Sequence, residues 1–102
     1  MGKPSRDKGS RFELEVVALA REHGLEAVRV PLSGATRYAK DDVEVTPGFA
    51  PERPWRGECK RRKTLPQWLN SALDGCDFVA LRADRREGVA IIPLRTLMEL
   101  LQ

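Results

Sequence analysis

Asp42-Val-Glu-Val-Thr46, a proline-rich connection, and then Trp55-Arg-Gly-Glu-Cys-Lys60 together read as a strand, a turn and a second strand. Val43 and Val45 alternate with Glu44 and Thr46 at the period of a half-buried strand. Pro47, Gly48, Pro51 and Pro54 interrupt any longer period and mark the turn. In the second strand, alternation puts Arg56, Glu58 and Lys60 on one face and Cys59 on the other. If the two strands pair, the acid at the start of the first meets the Glu-x-Lys of the second.

Upstream, residues 33–40 follow neither period and read as a loop, and Leu25 to Val30 reads as a strand. Phe12, Val16 and Leu19 recur at helical spacing up to His23, with Ser10 as the start signal and Gly24 as the stop. Residues 1–9, with Gly2, Pro4 and Gly9, read as a flexible basic arm. Downstream, Thr64 reads as the N-cap of a second helix, with Pro66 in its first turn and Gln67 completing a capping box, and the helix ends near Gly75. Asp77 to Arg82 and Val89 to Ile92 read as strands, and Leu94, Leu97, Met98 and Leu101 form the stripe of a last helix. The order α-β-β-β-α-β-β-α implies an α/β domain over residues 1–102, a five-stranded mixed sheet flanked by helices.

At 102 residues there is room for one modest core, and 41% hydrophobic with 32% charged residues is a globular composition. With no long apolar run and no apolar leader, the chain is expected to be soluble and cytoplasmic, away from membranes. Two cysteines and one histidine are too few for a disulfide framework or a Cys/His zinc site, and both cysteines are expected as buried thiols. The net charge of +3 is clustered in Lys3, Arg6, Lys8 and Arg11, and again in Arg56, Lys60, Arg61, Arg62 and Lys63. Such clusters suit a polyanion, though they also suit a solvated face.

Three acidic features fall where a carboxylate needs a reason. Glu13 lies within the apolar arc of the first helix, between Ala20 and Val17 on the wheel, so it either faces the body of the protein or closes a capping box with Ser10. Asp41-Asp42 opens a strand directly after a loop, and Glu58-x-Lys60 places a carboxylate and an ammonium on one face. Each alone fits a solvated turn or an exposed ion pair. Together they fit a hard divalent cation, Mg²⁺ with Mn²⁺ as a substitute, which takes oxygen ligands and is commonly held by one or two carboxylates and substrate phosphates. Asp42 and Glu58 would hold it, with Glu13 nearby and the Cys59 backbone carbonyl as a further ligand. Lys60 would orient or deprotonate the attacking water. The implied reaction is phosphodiester hydrolysis.

These residues resemble the PD-(D/E)XK, restriction-endonuclease-like nucleases, and among them the archaeal-type Holliday junction resolvases, which also occur in phages. The likeness rests on Lys8-Gly9-Ser10 followed by Glu13, on Gly24 to Arg29, on Asp41-Asp42-Val43 and on Gly57-Glu58-Cys59-Lys60. The resemblance implies a restriction-endonuclease-like fold, a catalytic set of Glu13, Asp42, Glu58 and Lys60, a strand contact at Arg29 and a functional serine in the loop, for which Ser33 is the nearest match. It also implies work on branched DNA in recombination and repair. The chain departs from the family pattern in Asp41, where proline usually precedes the aspartate, in a longer loop before Asp42 and in the proline-rich excursion before Glu58.

The basic residues near these positions, Lys3, Arg6, Lys8 and Arg11 at the arm with the neutral Ser10 beside them, Arg37 and Lys40 in the loop and Arg61, Arg62 and Lys63 after the second strand, would then hold phosphates without reading bases. A four-way junction cut at paired positions needs two subunits, so a homodimer is expected, with Trp68 the first residue to look for in its interface. The rival readings are another nuclease of the same superfamily, of nicking, flap or restriction type, and a non-catalytic nucleic-acid-binding module.

Overall fold

The computed structural model describes residues 3–30 and 42–102, with side chains from residue 10 onward. Helix α1 spans Lys3–Glu22, so the segment read as an arm is helical from Lys3 and the helix starts well before Ser10. Pro4 suits a first turn, and once a helix is nucleated each added residue costs little, so Gly9 weakens the helix without ending it. The stop lies at Gly24, as its sequence implies. Gly24 has φ +76°, its N–H donates to the Arg21 carbonyl, and the Leu25 N–H donates to the Ala20 carbonyl, both at 3.0 Å. This paired closure of the last turn needs a left-handed residue, which glycine adopts without a side-chain clash.

Strands β1 (Glu26–Arg29), β2 (Val43–Thr46) and β3 (Trp55–Gly57) form an antiparallel sheet in the order β1-β2-β3. Val43 and Val45 are buried on the same face as Ala27, while Glu44 and Thr46 are half-buried on the other. Val16, Val17 and Ala20 of α1, Leu25, and Met98 and Leu101 complete this core. These elements belong to one compact unit, Met1–Arg61 with Met98–Gln102. Within it the last residues are tied to the β2–β3 connection: the Gly48 N–H donates to the Leu101 carbonyl at 2.7 Å, and Gln102 Nε2 donates to the His23 carbonyl at 2.9 Å. A Cβ at Gly48 would sit 2.8 Å from the Gln102 carbonyl carbon. Gly48→Ala is therefore expected to destabilise the fold by about 1–3 kcal/mol, measured by urea unfolding, because the backbone it meets cannot swing aside.

The second unit is Arg62–Leu97. It holds α2 (Gln67–Gly75), a hairpin of β4 (Val79–Leu81) and β5 (Val89–Ile91), and the first turn of α3 (Leu94–Leu101), with Leu69 its buried residue. The Thr64 cap expected from sequence is not formed. Pro66 is the N-cap, no side chain caps the helix, and the Pro66 carbonyl takes the N–H groups of Leu69 and Asn70. Extended backbone at Pro66 leaves Thr64 outside the helix, and Gln67 as its first residue has no capping box to complete.

All five expected strands exist, but they divide into sheets of three and two with every pairing antiparallel, where one mixed sheet was expected. The three-residue strands β4 and β5 pair with each other across the connection 82–88, a local pairing with a small loop-closure cost. The strand expected over Trp55 to Lys60 also stops early, at Gly57, for a reason that belongs to the site.

Candidate active site

Asp42 sits at the mouth of the sheet with its backbone held from two sides. Its carbonyl accepts the Val30 N–H at 3.0 Å beyond β1, and its N–H donates to the Gly57 carbonyl at 2.8 Å at the end of β3. Val43 is opposite Gly57 in the register, so Asp42 and Glu58 are the next residues outward on the two strands. There the regular ladder gives way. The Cys59 N–H donates to Asp42 Oδ2 at 2.6 Å, a short charge-assisted bond that replaces a backbone partner. This diversion ends β3 at Gly57 and fixes one oxygen of Asp42, leaving Oδ1 without a hydrogen-bond partner among the described residues. The Cys59 carbonyl likewise accepts no hydrogen bond among them.

Glu58 and Lys60 lie beyond the strand yet stay together, with Lys60 Nζ 3.6 Å from Glu58 Oε1. Their side chains are 55% and 61% exposed, so the pair is a hydrated one that adds little stability and is open to a ligand.

The Glu13 side chain is 17% exposed, far less than that of Glu58. Because α1 starts at Lys3, Ser10 lies inside the helix and the capping-box explanation of Glu13 fails. The partner is Arg29 at the end of β1, whose Nε and Nη2 both approach Glu13 Oε1 at 3.0 Å. Arg29 Nη2 also lies 3.5 Å from Ser10 Oγ. Sequence reasoning selected Glu13 and Arg29 separately and missed their pairing, which depends on how α1 lies against β1 and has no local signature.

One group senses all three acids. The Cys59 thiol is pushed from its ordinary value of 9.0 up to about 11, first by burial and then by the negative charges of Asp42, Glu13 and Glu58. Asp42, Glu13 and Glu58 thus each lie within electrostatic range of Cys59. Among the described residues no three His, Cys, Asp or Glu side chains stand close enough to form a complete metal cage. The donor set still fits Mg²⁺, which keeps several of its waters and needs only one or two protein carboxylates. Cys59 is half-buried and Cys76 is exposed, so neither is the fully buried thiol expected, and both are free. Only the thiolate attacks an alkylating reagent. With its pKa near 11, Cys59 at pH 8 should react with iodoacetamide about a hundredfold more slowly than a thiol of ordinary pKa, gaining about tenfold per pH unit up to pH 11. Asp42→Asn removes one of the opposing charges and should speed the reaction, as followed by peptide mass analysis.

The basic candidates distribute unevenly. Arg11 and Arg61 are exposed in the unit that carries these acids, while Arg62 and Lys63 are exposed in the second unit. Lys3, Arg6 and Lys8 occupy helical backbone positions on α1, and Ser33, Arg37 and Lys40 lie outside the described residues. No described helix is long and apolar enough to cross a membrane.

No curated protein and no solved structure matches the chain. A family model does, that of the archaeal Holliday junction resolvase, Hjc, over residues 4–99. A match of that extent takes in α1, both sheets and every acid discussed above, and the chain belongs to the archaeal Holliday junction resolvase family.

Proposed function

We propose that the chain is a Mg²⁺-dependent endodeoxyribonuclease that resolves four-way DNA junctions by paired nicks, acting as a homodimer in the cytoplasm. The observation that carries this reading is the opposition of Asp42 and Glu58 across the ends of β2 and β3 with the Lys60 ammonium beside Glu58. Asp42 Oδ1, the Glu58 carboxylate and the Cys59 carbonyl would hold the cation, with Glu13 behind them. When bound, the ion supplies a water of lowered pKa and a positive charge against the phosphate oxygens. Lys60 would orient an attacking water that gives up a proton to solvent, and its ammonium would face the negative charge that builds on the phosphate oxygens as the water's oxygen bonds to phosphorus. One P–O ester bond then breaks, and the leaving oxygen takes up a proton. Arg29 holds Glu13 in place from β1 and is near enough to the acids to meet a neighbouring phosphate. The exposed Arg11 and Arg61 position the backbone without reading sequence.

Paired cutting of a substrate with two-fold symmetry calls for two copies of the site, hence a C2 dimer. Trp68, exposed on α2, is its proposed contact. Incubation with Mg²⁺ and labelled four-way junction, flap and linear duplex tests the reading. Symmetric paired nicks confined to the junction are expected. Equal cutting of linear duplex would instead indicate a nicking or restriction-type enzyme, and binding without cleavage would indicate a DNA-binding module.

A further inference from the structure

The proline-rich excursion between β2 and β3 is a rigid feature with its own chemistry, separate from the acids. Pro47 is fully buried, Gly48 is bonded to Leu101, and two turns follow, closed by Ala50 N–H to the Pro47 carbonyl and Arg53 N–H to the Ala50 carbonyl. On this support Phe49 and Trp55 form an edge-to-face pair with ring centroids 6.5 Å apart and planes at 84°. Both stay in water, 63% and 45% exposed, although burying such rings is normally favourable. Beside them is a concavity of about 510 Å³ lined by Glu52, Arg53, Pro54, Trp55 and Arg56, a size that suits a nucleotide-scale ligand.

The charges of this concavity select among ligands. Arg56 lies 3.8 Å from Glu44. Arg53 and Glu52 have no side-chain partner among the described residues, so two guanidinium groups, one of them beside Glu44, and one carboxylate line the same space. A bare phosphate would be opposed by Glu52. A nucleobase is flat, neutral and carries both carbonyl or ring-nitrogen acceptors and N–H donors, which matches an aromatic wall, a guanidinium and a carboxylate. Trp55 stands opposite Val45 on the edge strand β3, on the other face of the sheet from Arg56.

We infer that Trp55, with Arg53 and Glu52, forms a stacking site for an unpaired DNA base. The inference rests on the proposed nuclease reading, and a branch point is where it has a use, because bases there unstack at least cost. The test is anisotropy titration of the full chain with fluorescein-labelled oligothymidylate and with linear duplex, without divalent cation. Stacking on one aromatic side chain contributes about 1–3 kcal/mol per base, so Trp55→Ala should weaken oligothymidylate binding about fivefold to over a hundredfold. Arg53→Ala should weaken it severalfold, Trp55→Phe should retain most of it, and duplex binding should change by less than about twofold. In a Trp68→Phe chain, where Trp55 is the remaining tryptophan, oligothymidylate should quench the emission saturably, a readout that does not require Trp55→Ala to fold.

Unchanged oligothymidylate affinity in Arg53→Ala and Trp55→Ala, or absence of quenching, overturns the site. So does self-association through this patch, detected as a mass increase by light scattering that Trp55→Phe or Arg53→Ala removes. Failure here, with junction cleavage by the unaltered chain intact, leaves the nuclease reading standing. Absence of junction cleavage in Mg²⁺ overturns that reading without deciding the cation-free titration.

Discussion

Asp42→Asn is expected to lower the rate of junction cleavage about a thousandfold while leaving the fold and DNA binding nearly intact. The Asp42 carboxylate has two tasks. Oδ2 takes the Cys59 N–H at 2.6 Å, and the remaining oxygen and the charge are left for the cation under the proposed function. An asparagine carbonyl can keep the first task and cannot supply the charge of the second. Loss of several kcal/mol of cation-borne stabilisation corresponds to about three powers of ten in rate. Asp42→Ala should lose the same activity and also about 1–3 kcal/mol of stability, because the Cys59 N–H is left without its acceptor. Single-turnover cleavage of a labelled four-way junction, with urea unfolding of both variants, separates the two tasks. A rate for Asp42→Asn within about threefold of the unaltered chain would remove Asp42 from the chemistry.

The parts of this arrangement that sequence exposes are those that short-range patterns encode. The Val43/Val45 alternation and the proline-rich turn place β2 and β3, and Gly24 marks the end of α1 through a requirement for left-handed backbone. The start of α1 was misread for a physical reason: Gly9 and Pro4 are signals of weak helix, but nucleation further along makes extension through them inexpensive. The grouping of strands was also illegible, since periodicity reports that a segment is a strand and not which neighbour it bonds. At the site, Glu13, Asp42, Glu58 and Lys60 could be chosen from residue type and face. The Arg29–Glu13 pair and the Asp42–Cys59 bond could not, because each joins positions 16 or 17 residues apart through the placement of whole elements.

The largest effect on stability is expected at the other end of the chain. Met98 is 1% exposed and is the largest fully buried side chain among the described residues, on a helix of which only Met98 and Leu101 are buried. Its unit, which joins residues up to Arg61 to the final five, has a core of small side chains, chiefly valine and alanine from α1, β1 and β2. Such a core has little with which to refill a vacated volume, because valines are stiff and the backbone around Gly48 is bonded to Leu101. Met98→Ala should therefore lose about 2–5 kcal/mol, a drop in Tm on the order of 10 °C or more for a chain of this size. Met98→Leu conserves volume and should lose less than about 1.5 kcal/mol. The same packing anchors the β2–β3 connection through Gly48 and Leu101, and that connection leads into β3 and the Glu58–Lys60 pair. Cleavage by Met98→Ala should accordingly fall with the folded fraction as temperature rises, and recover on cooling, whereas loss in Asp42→Asn is independent of temperature. Thermal melts followed by circular dichroism, paired with cleavage rates at the same temperatures, would expose an error: a Tm within about 3 °C of the unaltered chain means Met98 is not part of a packed core.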